Sequence, residues 1–148
     1  MESISQADRV ESLKAGTAGA IATTFAATLW WIGVGLLRKP LPGLFPAVGA
    51  SWLSLESGIH GAIALVSGGL FGITYRYAVR QDQNLQLRSG VVFAFALVRG
   101  LAQLEVEWVD LSALWQLGLP LAEGLWLFSV AALSLQWAIH RGWVRSLP

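Results

Sequence analysis

Long apolar runs, each closed by a short polar or charged cluster, organise this chain. Residues 13–37 are apolar and end at Arg38, Lys39, Pro40 and Pro42. Residues 57–79 end at Arg80 and the polar stretch QDQN; residues 90–108 and 119–143 complete the set. A bilayer core of about 30 Å takes about 20 apolar residues as helix, and every run meets that length. The runs are too long for strands and do not alternate. Pro120 falls in the first turn of the last run, where a missing N–H is tolerated. The pattern therefore predicts an all-α polytopic membrane protein, a single domain over residues 1–148 with four transmembrane helices.

Composition agrees. Hydrophobic residues make up 55% of the 148 positions and charged residues 13%, about half the charged share of soluble domains. Such a small soluble domain would lack the polar residues to cover its surface. The chain has no cysteine, which excludes disulfides, thiolate metal sites and Cys nucleophiles. A net charge of +1 supplies no basic field for nucleic acid. The opening stretch MESISQADRVESLK carries Glu2, Asp8 and Glu11 and has no basic region before an apolar core. It reads as a helical extension of the first span rather than as a secretory signal.

The distribution of cations gives the threading. Arg9, Lys14, Arg76, Arg80, Arg88, Arg141 and Arg145 fall on one side of a four-span arrangement, against Arg38 and Lys39 on the other. The positive-inside rule then places both termini in the cytoplasm, or in the stroma of a plastid. Trp30, Trp31, Trp52, Trp108 and Trp115 gather toward the opposite interface; Tyr75, Tyr77, Trp137 and Trp143 gather toward the termini. Two aromatic belts are the expected anchors. The connection around residues 41–56 and the segment DLSALWQLGLP, with Asp110 as a helix cap, read as interfacial.

Lipid supplies little hydrophobic drive between helices, so small residues mark the packing faces. These are Gly16, Ala20, Thr24 and Thr28 in the first span, Gly61, Gly68 and Gly72 in the second, and Ala96 and Gly100 in the third. The GxxxG at Gly68 and Gly72 fits either packing within the chain or a homodimer face. LKAG and LRSG open the first and third spans, and RYAVR and RGWVR close the second and fourth. Two readings stand: two tandem copies of one helical hairpin, and basic residues placed at matching ends by topology alone.

Arg99 has two readings: a polar site for an anion, lipid head group or cofactor carboxylate, or a structural arginine satisfied by the bundle or by a partner subunit's acid. It lies about 16 Å inside the span when counted from Arg88 at 1.5 Å per residue, and inserting such a charge costs about 2.5–3.5 kcal/mol. It shares a face with Gln103, which should point into the bundle. Glu56, Glu105 and Glu123 are its partners by charge, but all fall toward the side away from the termini. Arg99 should lean toward the start of its own helix and away from them. Hydroxyls at matching depth (Ser67, Ser129, Ser134, Thr23 or Thr24), free carbonyls or a lipid phosphate are then equal alternatives to an ion pair. Glu56, His60 and Glu123 form a second polar group, either a proton relay or ordinary interfacial polarity; a haem or chlorophyll ligand at His60 is a further reading. Arg76, Arg80 and Arg88 outline a basic loop where a partner or anionic lipid could dock. No phosphate-binding loop, dinucleotide fingerprint, hydrolase elbow or metal-ligand spacing occurs. No cofactor or metal is therefore expected, and a membrane enzyme stands only as a third reading beside a pigment binder.

The stretch SGGLFGITYRYAVRQDQNLQLRSGVVFAFALVRGLAQ, residues 67–103, resembles a family of small integral membrane proteins of cyanobacteria and plastids without an assigned activity. The resemblance implies a thylakoid or plasma membrane setting and carries no catalytic residues. The expected function is an accessory or assembly factor of a larger membrane complex, with a membrane protein partner or a homodimer. The alternatives are a small dimeric carrier or channel using Arg99 and the Glu56, His60 and Glu123 region, and a binder of lipid, haem or pigment.

Overall fold

In a computed structural model, residues 6–38, 55–79, 84–106 and 118–145 are described. They form four helices, α1 Gln6–Arg38, α2 Leu55–Val79, α3 Leu85–Val106 and α4 Gly118–His140. Each is long and apolar enough to cross a membrane. The interfacial segments expected around residues 41–56 and at Asp110 fall mainly outside the described residues. So do Arg80, Glu107, Trp52, Trp108 and Trp115, and the side chains of Glu56 and Glu105.

Among the boundaries that differ from the hydropathy pattern, two have a local cause in capping. Helix α3 starts at Leu85 rather than at residue 90, because Asn84 caps it: its Oδ1 accepts the Gln86 N–H at 3.0 Å. Arg88 is therefore a helical residue. Helix α4 stops at His140 rather than at residue 143. Gly142 adopts φ 73°, and the N–H groups of Trp143 and Gly142 donate to the carbonyls of Ala138 and Ile139, each at 3.0 Å. That is a left-handed glycine cap. It turns Val144 back into the core, where it is 3% exposed.

Consecutive helices run antiparallel and pack as two hairpins, α1 with α2 and α3 with α4, joined mainly through α1 against α4. One end of the bundle thus carries both chain termini and the α2–α3 connection. The other, the loop end, carries the two longer connections.

The α1/α2 seam is backbone on backbone. A Cβ added at Gly19 would strike the Gly68 carbonyl, one at Gly68 would strike Thr23 Oγ1, and one at Gly72 would strike the Ala15 carbonyl. Thr23 Oγ1 also lies 2.9 Å from the Ala64 carbonyl, a hydrogen bond across the seam. The GxxxG pair is therefore covered by α1, not free for a second copy. The face α1 presents is Ala15, Gly16, Gly19 and Thr23, while Thr28 is exposed. Gly61, expected to pack, meets no heavy atom of the described residues within 4 Å of an added Cβ.

The α3/α4 seam closes at different places. An added Cβ at Gly124 would meet the Ala96 carbonyl at 2.6 Å, and one at Gly100 would meet Leu121 at 2.7 Å. In the register of the LKAG/LRSG echo, Gly19 corresponds to Phe93 and Gly100 to Ala26, so the hairpins do not close through equivalent residues. Across the bundle, Phe71, Phe95 and Phe128 join α2, α3 and α4 with ring centroids 5.1–5.5 Å apart. Beside them, buried Tyr75 accepts a hydrogen bond from Gln136 Nε2 at 2.7 Å.

Candidate functional site

The register of the second hairpin decides the environment of Arg99. Gly124 packs on Ala96 and Gly100 on Leu121, so Glu123 lies close to the level of Ala96. In both helices side chains lean toward the N-terminus. Because the helices are antiparallel, Arg99 leans toward the termini end and Glu123 leans toward the loop end, and the two meet. Arg99 Nη2 donates to Glu123 Oε1 at 3.1 Å, with the side chains 6% and 11% exposed.

This corrects the expectation that Arg99 points away from the acids. The lean was right; the level assigned to Glu123 was not, because the glycine contacts fix how far α4 slides past α3. Among the described residues none of the hydroxyls at matching depth accepts a hydrogen bond from Arg99. Ser67 donates to Ala64 and Ser134 to Val130, each on its own helix. Thr23 faces carbonyls of α1 and α2. Ser129 is exposed.

The pair is incompletely satisfied. Arg99 Nε and Nη1 are buried without a hydrogen-bond partner among the described residues. A guanidinium carries five N–H donors, and a buried network left partly satisfied is costly. On the helix start side, Phe95 and its aromatic neighbours close the interior one turn away. On the loop-end side, half-buried Gln103 follows one turn later.

The remaining expected site residues are dispersed. His60 is exposed, and its ring lies 6.0 Å from that of Trp31 on α1. Glu123 is engaged by α3 instead, so His60 and Glu123 turn to different helices. Among the described residues no group of three or more His, Asp or Glu side chains could hold a metal ion.

Arg76 does not belong to a docking loop. It is 2% exposed on the last turn of α2. Its Nε donates to the Arg145 carbonyl at 2.9 Å, and its Nη1 donates to the Ser12 hydroxyl at 2.6 Å and the Asp8 carbonyl at 3.1 Å. Nη2 stands 3.6 Å from the Asp8 carboxylate. Glu11 completes the clasp by accepting the Arg145 backbone N–H at 2.9 Å. Residues of α1, α2 and the turn after α4 are thereby tied at one point. Gly68, Gly72 and Arg76 follow at intervals of four, so the stripe that packs on α1 carries Arg76 with it. That spacing was the available signal. Arg76→Met is expected to lower stability by about 2 kcal/mol, the scale of buried hydrogen bonds to a charge, read as a lower thermal midpoint in detergent. An unchanged midpoint would show that the clasp adds nothing.

Arg88 is half-buried on the first turn of α3, and its Nε lacks a partner among the described residues. At the same end, Arg141 stacks over Trp137 at 5.0 Å. At the loop end an open apolar groove of about 390 Å³ runs between Leu29, Trp30, Gly33 and Val34 of α1 and Leu119 and Trp126 of α4. Comparison of the chain with protein-family models, curated proteins and solved structures finds no match.

Proposed function

We propose that this chain is an accessory or assembly subunit of a larger membrane complex and that α3 is its docking helix. The observation carrying this reading is the thin packing of α3, which meets α4 along one face and α2 only weakly, whereas α1, α2 and α4 each pack more extensively. The buried positions described on α3 are Ala96, Arg99 and Gly100, while Phe93, Leu97, Val98 and Leu101 are exposed. The small residues Ala94 and Ala102 lie exposed among them. Interleaved large and small side chains suit knobs from a partner helix, since packing drives helix association in lipid. In mild detergent the chain is expected to migrate with a large complex. Leu97→Trp together with Ala94→Trp keeps α3 apolar but alters its relief, and should release the chain while leaving it inserted. A wild-type chain that migrates alone would overturn the reading.

The cation split supports an orientation with both termini in the cytoplasm or stroma, and the resemblance supports a thylakoid or plasma membrane. Epitope tags at the two ends should share one protease accessibility in sealed vesicles; opposite accessibility would end the even-span threading.

A second reading, a small dimeric carrier or channel, draws on the N–H groups of Arg99 that lack acceptors. It requires anion flux in proteoliposomes that Arg99→Lys abolishes.

A further inference from the structure

Arg99 spends one hydrogen bond on Glu123 and keeps two further nitrogens, Nε and Nη1, buried and without acceptors among the described residues. The residue as a whole is 8% exposed. Among the described residues none of the hydroxyls of Ser67, Thr23 and Ser134 accepts from these nitrogens; each donates to a backbone carbonyl. Isolated charges within membrane spans face the interior and mark binding sites or pathways. The fork of a guanidinium matches the oxygens of phosphate and carboxylate groups.

We propose that Arg99 is the anchor of a binding site for a single phosphate-type oxyanion, taken up between α3 and α4 from the loop end, with Glu123 holding the guanidinium in place and Gln103 at the approach. The direction follows from what closes each side. The Phe71, Phe95 and Phe128 cluster stands one turn toward the termini and sets three packed aromatic rings on that side. Toward the loop end Gln103 is only half-buried, and α3 ends at Val106, about 10 Å beyond Arg99 at 1.5 Å per residue. A free phosphate or the phosphodiester of a lipid headgroup can reach that depth. In the present arrangement the free nitrogens are sealed, so binding turns them toward Gln103.

Glu123 has a double effect on such a ligand. Its carboxylate orients Arg99, and its negative charge opposes the incoming anion. Removing the charge while keeping a hydrogen-bond acceptor should therefore tighten binding. A purely structural ion pair gives no reason for that result.

This inference does not rest on the docking of α3 and is tested on the purified chain alone. The chain is held in a phosphate-free non-ionic detergent, and its thermal midpoint is followed against inorganic phosphate in one arm and short-chain phosphatidylglycerol in the other. Sodium chloride controls for ionic strength. A saturable rise in the midpoint is expected in one arm, which identifies the source of the oxyanion. Arg99→Lys should weaken it about tenfold or more, because an ammonium lacks the fork, and Glu123→Gln should tighten it. Arg99→Gln should abolish it; if that variant does not fold, the lysine and glutamine variants decide. No rise above the chloride control in either arm, or a rise that Arg99→Lys and Glu123→Gln leave unchanged, overturns the proposal.

Discussion

Gly72→Leu is expected to separate α1 from α2 and to destabilise the bundle by about 3 kcal/mol or more, at the upper end of overpacking costs. Two effects compete. Leucine favours the helical backbone over glycine by about 1 kcal/mol, which alone would stabilise α2. Against it stands the position of the new Cβ, which would overlap the Ala15 carbonyl and lie 3.2 Å from the Gly16 Cα. Both obstacles are backbone, so no side chain can rotate away; the helices must part. Parting them lengthens the bond from Thr23 to Ala64 and loosens the clasp at Arg76, since Ser12 and Asp8 ride on the same helix. Packing loss therefore outweighs propensity. Gly61→Ala is the matched control, because its Cβ meets no described atom; its midpoint should stay within about 0.5 kcal/mol of wild type or rise slightly. Thermal unfolding of both variants in one detergent makes the comparison. Equal midpoints would mean that the close approach at Gly72 does not hold the hairpin.

That contrast marks how far the sequence could be read. Hydropathy found the four helices, because a bilayer demands length and apolarity from every span and both are local properties. It missed the start of α3, where Asn84 supplies a cap ahead of the apolar run, and the end of α4, where Gly142 stops the helix before Trp143. Which glycines pack was harder. GxxxG at Gly68 and Gly72 is a local pattern, but its counterpart on α1 had to be chosen among several stripes of small residues. The stripe through Ala20 and Thr24 lies one position from the face through Gly19 and Thr23, and only the crossing of the two helices selects between them. Gly124 carried no pattern of its own.

The charged residues show the same limit. Arg99 stood out because it is a cation at depth, and depth can be counted along a helix. Its partner could not be counted, because the slide of α4 along α3 is set by Gly100 and Gly124 fitting against Leu121 and Ala96. Arg76 looked like topology because basic residues at span ends usually are. Its burial depends on α1 extending back to Gln6, which brings Asp8 and Ser12 over the end of α2. A charge at the end of a span is solvated only if no other helix reaches past it.

Arg99 and Glu123 should be strongly coupled, and the sign of each substitution separates an ion pair from mere proximity. Glu123→Leu leaves a guanidinium buried with no acceptor for Nη2 in addition to the two nitrogens already lacking one. Arg99→Leu leaves a carboxylate buried without its cation. Each single change is expected to cost about 3–5 kcal/mol, the cost of stranding one charge of a buried pair. The double variant Arg99→Leu with Glu123→Leu removes both desolvation penalties, and its stability should return to near wild type or exceed it. The coupling in this cycle, read from thermal or denaturant midpoints, is then as large as the two single losses added together. Additive losses in the double variant would mean that the two side chains act separately. Restored stability would carry a further consequence. A pair that a bilayer protein could replace with leucines at no loss is one whose retention stability does not explain, and the N–H groups of Arg99 that Glu123 leaves without acceptors then supply the remaining reason for a cation at that depth.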